Sequence, residues 1–287
     1  MRMQTLMPRS ALFMPGNNAR ALEKAQALPC DAVILDLEDS VAPDQKDEAR
    51  ARIATALREA DFGRRVVAVR TNGLDTADFA DDVKVARQAQ VMVVPKVSTL
   101  DELGACQQAL EGSKARLWVM IETPMALLNL REMASSAAQV APSLDAFVLG
   151  ANDLAKDSGM AQVPGRWNMV PLFAQAVVTA AAYGLHVMDS VSNNFRDLDA
   201  FAAECEQGAA LGMAGKTLIH PAQIEGANAA FGPKADEIAR AKAIIAAFDL
   251  PENASKGAIQ IDGEMVERLH IQGARDVLAR AQAFNLD

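Results

Sequence analysis

Short apolar runs recur along the chain, and each ends on a polar, acidic or glycine residue. Eight are counted, at positions 10–16, 32–36, 66–70, 91–96, 117–122, 146–150, 186–190 and 216–220. Runs of this length, apolar on both faces, are the pattern of buried parallel strands. Between them lie stretches rich in Ala, Leu, Glu and Arg that read as helices. Positions 55–60 close the second of these, and positions 101–110 form the fourth. Strands alternating with helices predict a parallel sheet, and eight such units predict closure into a (β/α)8 TIM barrel. An open doubly wound sheet is the weaker alternative, because no GxGxxG turn follows the first strand.

The alternation stops after Pro221. Positions 233–248 read as a helix, 249–256 as a linker with Pro251, Asn253 and Ser255, and 257–263 as a short hairpin or loop. A last helix is predicted over 264–284, with Ala274, Val277, Leu278 and Ala281 at helical spacing. The expected organisation is therefore a barrel over 1–232 and a C-terminal helical extension over 233–287. So short an extension carries too little core to fold alone. It is expected to serve as a lid or arm on the barrel or on a neighbouring subunit.

Composition narrows the function classes. A net charge of −9 disfavours a general nucleic-acid binder, which needs a basic face. Cys30, Cys106 and Cys205 are odd in number and share no CxxC spacing. A reducing cytoplasm is the expected setting, without disulfides or zinc. Residues 1–9 are too short and polar for a signal peptide, and no apolar run reaches the ~18 residues a membrane span needs.

The candidate chemistry sits at strand ends, which converge on one face of a barrel. The fifth run leads into Glu122 and the sixth into Asp153. Two carboxylates there, with several positions left open, suit Mg²⁺ better than zinc. The competing reading makes each acid a helix N-cap. The second run supplies Asp36, Glu38 and Asp39, and Asp39-Ser40 is equally suited to cap the helix that begins near Pro43. Arg70, ending the third run, can grip a substrate carboxylate through two hydrogen bonds, or form an ion pair with Asp36 or Glu38. Lys96, after Pro95, is a second cation, and a Schiff base there would need a lowered pKa. The Gly16 turn leads into a helix whose Arg20 and Lys24 can receive phosphate, unless Asn17 or Asn18 is only its N-cap. Of the three histidines, His220 alone falls at a strand's carboxyl end and is expected near the pocket, and no pair has metal spacing.

In order along the chain, Phe13-Met-Pro-Gly16, Leu37-Glu-Asp-Ser-Val-Ala-Pro43, Val69-Arg-Thr-Asn72, Val94-Pro-Lys96 and Ile121-Glu-Thr123 are followed by Gly150-Ala-Asn-Asp-Leu154, Gly215-Lys-Thr-Leu-Ile-His-Pro221 and Asp262-Gly-Glu-Met265. This succession resembles the citrate lyase beta-subunit-like family, which includes malyl-CoA and citramalyl-CoA lyases. The resemblance implies Mg²⁺ on Glu122 and Asp153, Arg70 as the carboxylate clamp, coenzyme A thioester chemistry and a trimer-based homo-oligomer. It also implies that the C-terminal segment covers a neighbour's active site and supplies a catalytic aspartate. Here Glu267 holds that position, one methylene longer. Asn17-Asn18 replaces the Ser-Arg of some malyl-CoA lyases, which leaves Arg20 and Lys24 to meet the coenzyme's phosphates, with Lys96 and Glu38 also expected around the substrate.

The function expected on these grounds is reversible carbon–carbon cleavage of a malyl-CoA or citramalyl-CoA type of 3-hydroxyacyl-CoA. Its products would be acetyl-CoA and a 2-oxo acid, pyruvate or glyoxylate. Three alternatives stand beside it: a citrate lyase beta subunit working on an acyl-carrier-protein thioester within a complex, a non-catalytic acyl-CoA or keto-acid binder, and a thioesterase for the same class of substrate.

Overall fold

The computed structural model describes residues 6–286. They form two compact units, one running to Phe231 and one beginning at Gly232.

In the first unit, eight parallel strands close into a barrel in sequence order. They are β1 (Ser10–Pro15), β2 (Ala32–Asp36), β3 (Val66–Arg70) and β4 (Val91–Val94), then β5 (Arg116–Ile121), β6 (Leu144–Leu149), β7 (His186–Asp189) and β8 (Gly215–Leu218). Closure is made by β1 against β8, with Ser10 opposite Lys216. Each predicted run contains or overlaps one strand, and most differences at the ends are of one or two residues.

Helices follow the strands: α1 (Ala19–Ala25), α2 (Lys46–Glu59), α3 (Phe79–Ala86), α4 (Leu100–Ala109), α5 (Pro124–Val140), α6 (Ala151–Ser158), α7 (Val170–Ala182), α8 (Leu198–Leu211) and α9 (Ile224–Phe231). Local chemistry sets their ends. Thr99 and Glu102 form a capping box at α4, and Gly159 and Gly212 close α6 and α8 in the left-handed conformation.

Strand periodicity divides the core in two. Ile34, Ala68, Trp118, Met120, Val148 and Met188 fill the barrel's interior, while Leu35, Val69, Val119, Phe147 and Val187 pack outward against the helices. Side chains two apart share a face, so Asp36, Arg70 and Glu122 fall on the same inward face as Ile34, Ala68 and Met120. The register sets Asp36 beside Arg70 and Ile121 beside Leu149, which brings Glu122 next to Gly150.

The second unit holds α10 (Ala235–Asp249), an antiparallel hairpin of β9 (Ala258–Ile261) and β10 (Glu264–Glu267), and α11 (His270–Ala283). The helix predicted over 264–284 is thus corrected at its start, where residues 264–267 are a strand. The cause is the Asp262-Gly263 turn. Both residues take positive φ, 52° and 85°, as a tight primed hairpin turn requires. Among the described residues, no helix is long and apolar enough to cross a membrane.

Candidate functional site

One side of the barrel mouth is a connected chain of charges. Asp36 is 1% exposed and accepts a two-pronged grip from Arg70, through Nε at 2.7 Å and Nη2 at 2.8 Å. Ser40 adds its backbone N–H at 3.1 Å and its hydroxyl at 2.5 Å. Burial alone would raise this carboxyl's pKa, but Arg70 and these donors hold it below the usual range. Arg70 also lies 2.8 Å from Glu38 through Nη1 and 4.6 Å above the Phe13 ring. The ion-pair alternative for Arg70 is therefore realised, with both partners named from the sequence.

Glu38 takes its second contact from Lys96 Nζ at 2.7 Å. Burial raises the Glu38 pKa despite its two cations. Burial pulls the Lys96 amine down, but the Glu38 bond outweighs it and leaves the pKa raised. A lysine held in its charged form is the opposite of what a Schiff base needs. Lys96 itself sits at φ 58°, in the left-handed region, and that curl aims its backbone N–H at Glu122 Oε1, 2.8 Å away.

The other side of the mouth is left unbalanced. Glu122 is 1% exposed and forms no ion pair with any described residue. Its carboxyl is pushed up to about 8, first by burial and then by the like charges of Glu38 and Asp153. Asp153, half-buried, is in the first turn of α6 and makes no hydrogen bond or ion pair with a described residue. Neither acid is a helix cap. Thr123 caps α5 through Ala126 N, and Gly150 occupies the cap position of α6. Gly150 is needed here for space, since a Cβ at that position would lie 2.4 Å from Glu122 Oε2.

Both acids line a cavity of about 300 Å³ with Asp36, Asp39, Ser40 and Arg70, walled by Phe13, Met120, Leu149, Val191 and Ile219. Among the described residues, no three His, Cys, Asp or Glu side chains are grouped to hold a metal. An ion at Glu122 and Asp153 would therefore have two protein carboxylates and take its remaining ligands from water or a bound molecule. The donor set fits Mg²⁺, which prefers oxygen and keeps several waters.

The remaining candidates are placed as follows. Asp39-Ser40 does not cap the next helix. Ala42 holds the cap position of the short 3₁₀ turn that leads into α2, without a side-chain bond, because Ser40 is spent on Asp36. Asn18 caps α1 through Ala21 N at 3.1 Å. Arg20 and Lys24 are exposed on that helix and do not line the cavity. His220 accepts from Ala222 N through Nδ1 at 3.1 Å and stacks on Phe195 at 4.4 Å, one residue from the cavity wall at Ile219. Glu267 ends β10 in the second unit, exposed.

Two groups escaped the reading of the sequence. Asn152 and Asn193 both line the cavity and bond to each other, and Asn152 lies inside the Gly-Ala-Asn-Asp stretch where it was legible. On the barrel's outer face, Asp189 binds Arg166 Nη1 at 2.7 Å and Lys216 Nζ at 2.8 Å. No spacing in the chain announces that cluster.

A family model described as HpcH/HpaI aldolase/citrate lyase matches residues 9–221. The chain is 43% identical to a (3S)-malyl-CoA thioesterase of Cereibacter sphaeroides, over 96% of its own length and 95% of that protein's. It is 34% identical to an L-malyl-CoA/beta-methylmalyl-CoA lyase of the same species, again over 96% and 95%. Among solved structures it is similar to protein CitE of Mycobacterium tuberculosis in complex with magnesium, acetoacetate and coenzyme A. That likeness has a TM-score of 0.75 and 26% identity, covering 98% of this chain and 100% of the other.

Proposed function

The chain belongs to the HpcH/HpaI aldolase/citrate lyase family, and from that premise we propose that it is a magnesium-dependent cytoplasmic enzyme acting on malyl-CoA-type thioesters. The net reaction is hydrolysis of the thioester, giving the free hydroxy acid and coenzyme A. The observation that carries the reading is the pair Glu122, buried, and Asp153, half-buried, which line one cavity with no cation paired to either among the described residues. A cation there would meet a ligand whose carboxylate and neighbouring hydroxyl can both reach it. When bound, Mg²⁺ supplies a Lewis acid that polarises those substrate oxygens.

The chain's own residues do the rest. Arg70 presents Nη1 toward the cavity, where an incoming carboxylate exchanges with Glu38, and its grip on Asp36 fixes the guanidinium plane. Lys96 keeps Glu38 engaged when Arg70 turns to the substrate. Met120, Leu149 and Val191 exclude water from the carbon skeleton. Glu267, with its exposed acid, is the proposed base, reaching the cavity of a neighbouring subunit in a trimer-based assembly. Arg20 and Lys24 are free to meet the coenzyme's phosphates.

Hydrolysis leads because the thioesterase relative shares 43% of positions and the lyase 34%, over equal coverage. Carbon–carbon cleavage to acetyl-CoA and a 2-oxo acid is the second reading, favoured by the same coverage and by the acetoacetate and coenzyme A held in the CitE complex. Incubation with Mg²⁺ and (3S)-malyl-CoA, with products assigned by mass, separates them. Malate with coenzyme A supports hydrolysis, and glyoxylate with acetyl-CoA supports cleavage. EDTA is expected to stop either, and a Glu122→Ala protein with full activity would remove the metal assignment.

A further inference from the structure

Five cavity-lining residues carry a hydroxyl, amide or guanidinium able to donate a hydrogen bond: Ser40, Arg70, Asn152, Asn193 and Thr217. Three are already engaged. Ser40 gives its one hydroxyl hydrogen to Asp36, and Thr217 gives its own to the Asp189 carbonyl at 2.9 Å. Arg70 sets its fork on Asp36 and Nη1 on Glu38, with Asp39 at 3.7 Å. Its Nη1 is also the group given to the substrate carboxylate, which makes it a poor second partner for the thioester oxygen.

The two amides differ. Asn152 Nδ2 donates to Asn193 Oδ1 at 3.1 Å, and Asn193 Nδ2 returns a bond to Asn152 Oδ1 at 2.8 Å. Gln162 Nε2 steadies the same Asn152 oxygen at 3.2 Å. Each amide nitrogen carries two hydrogens and spends one in this exchange. A reciprocal amide pair between an exposed helix start and an exposed loop serves well enough as a staple. This one, however, lines the cavity, adjoins Asp153 in sequence, and keeps two hydrogens uncommitted on groups without charge.

We propose that Asn193, held in place by Asn152, donates to the thioester carbonyl oxygen of the substrate as charge develops there. The assignment rests on the thioester reading of the site and serves both of its reactions. In hydrolysis, a water oxygen bonds to the thioester carbon and the carbonyl π pair moves onto the carbonyl oxygen. The pair returns as the C–S bond breaks, and the departing thiolate takes up the proton the water lost. In cleavage, the bond between the hydroxyl-bearing carbon and the carbon next to the thioester breaks, and its electron pair passes onto the same oxygen as an enolate. The hydroxyl loses its proton as it becomes the carbonyl of the 2-oxo acid, and the enolate carbon gains one. Either way one oxygen becomes negative, and a fixed neutral donor aimed at it lowers the barrier.

The test uses the full-length protein with Mg²⁺ and (3S)-malyl-CoA. Asn193→Ala and the equally sized Asn193→Asp, which lacks the donor, are each expected to lower kcat by about 10²–10³-fold with KM moving less than about threefold. Asn152→Ala, which only loosens the donor, is expected to lose about tenfold. Calorimetric affinities for Mg²⁺ and for glyoxylate, which has no thioester, stay unchanged in Asn193→Ala, and a merely structural staple would not spare them while kcat falls. An active wild type whose Asn193 variants keep kcat within about twofold overturns this assignment alone. A wild type that releases neither pair of products overturns the thioester reading and the assignment with it.

Discussion

Two buried acids, both at the carboxyl ends of barrel strands, have opposite fates. Asp189 ends β7 and faces outward, where Lys216 and Arg166 meet its two oxygens. Burial would raise its pKa, but those two cations bring it below the ordinary value. Glu122 follows β5 and faces inward, without a paired cation, and it is pushed up to about 8. Both acids are at most 1% exposed, so burial does not separate them. Neutralisation does. A charge that the fold has matched belongs to stability, and one it has left unmatched is available to a ligand.

The sharpest test removes each acid in turn. Asp189→Ala leaves Lys216, itself fully buried, facing Arg166, and is expected to cost about 3–5 kcal/mol in urea denaturation. Glu122→Ala is expected to leave the urea midpoint unchanged or higher, since it removes a buried carboxyl that no cation among the described residues pairs, while activity disappears. A Glu122→Ala protein as unstable as Asp189→Ala would break the comparison.

A second variant reaches Glu122 without touching it. The Cβ of Gly150→Ala would fall 2.4 Å from both Cβ and Oε2 of Glu122 and displace the whole side chain. Calorimetry is expected to show Mg²⁺ affinity lower by about 10–100-fold, the range for a lost supporting contact.

The two acids also predict opposite responses to pH. The stability Asp189 contributes is present above its unfolded value near 3.8 and is lost as pH falls through its lower folded pKa. Glu122 works the other way, because the folded state holds its proton more tightly than the unfolded one. Between about 4.5 and 8, rising pH therefore weakens the metal-free fold. Across the upper part of that window Mg²⁺ must displace the proton, so its affinity is expected to rise about tenfold per pH unit and level off above 8. A flat titration of affinity would contradict the raised pKa.

The smallest effect belongs to Lys96→Met. The Lys96 side chain is 47% exposed, so losing its bridge to Glu38 is expected to cost less than about 1 kcal/mol. The backbone bond to Glu122 survives, and Mg²⁺ affinity should hold.

Much of this site was legible in the chain because a parallel strand advertises itself as an apolar run and its final polar residue marks the mouth. Asp36, Arg70 and Glu122 share the parity of the interior residues, so their convergence follows from period two alone. Asp189 escaped because its partners come from a loop residue 23 positions away and a strand residue 27 away. Contacts at that separation are made by topology, not by local pattern. The start of the last helix was misread for a different reason. Glu264 to Glu267 look helical by composition, yet the Asp-Gly pair before them is a hairpin signal. The fate of Arg70's guanidinium lay between, since both of its ion-pair partners were visible but only the strand register decided that it grips them.

Lys96 is the rivet of the rim. Its main chain fastens one acid and its side chain another, so the halves of the mouth cannot drift apart independently. Asparagine or glycine there would keep the curl and lose the outer fastening, whereas a β-branched residue would resist the curl and release both. Position 96 therefore governs how stiff the doorway is, whatever passes through it.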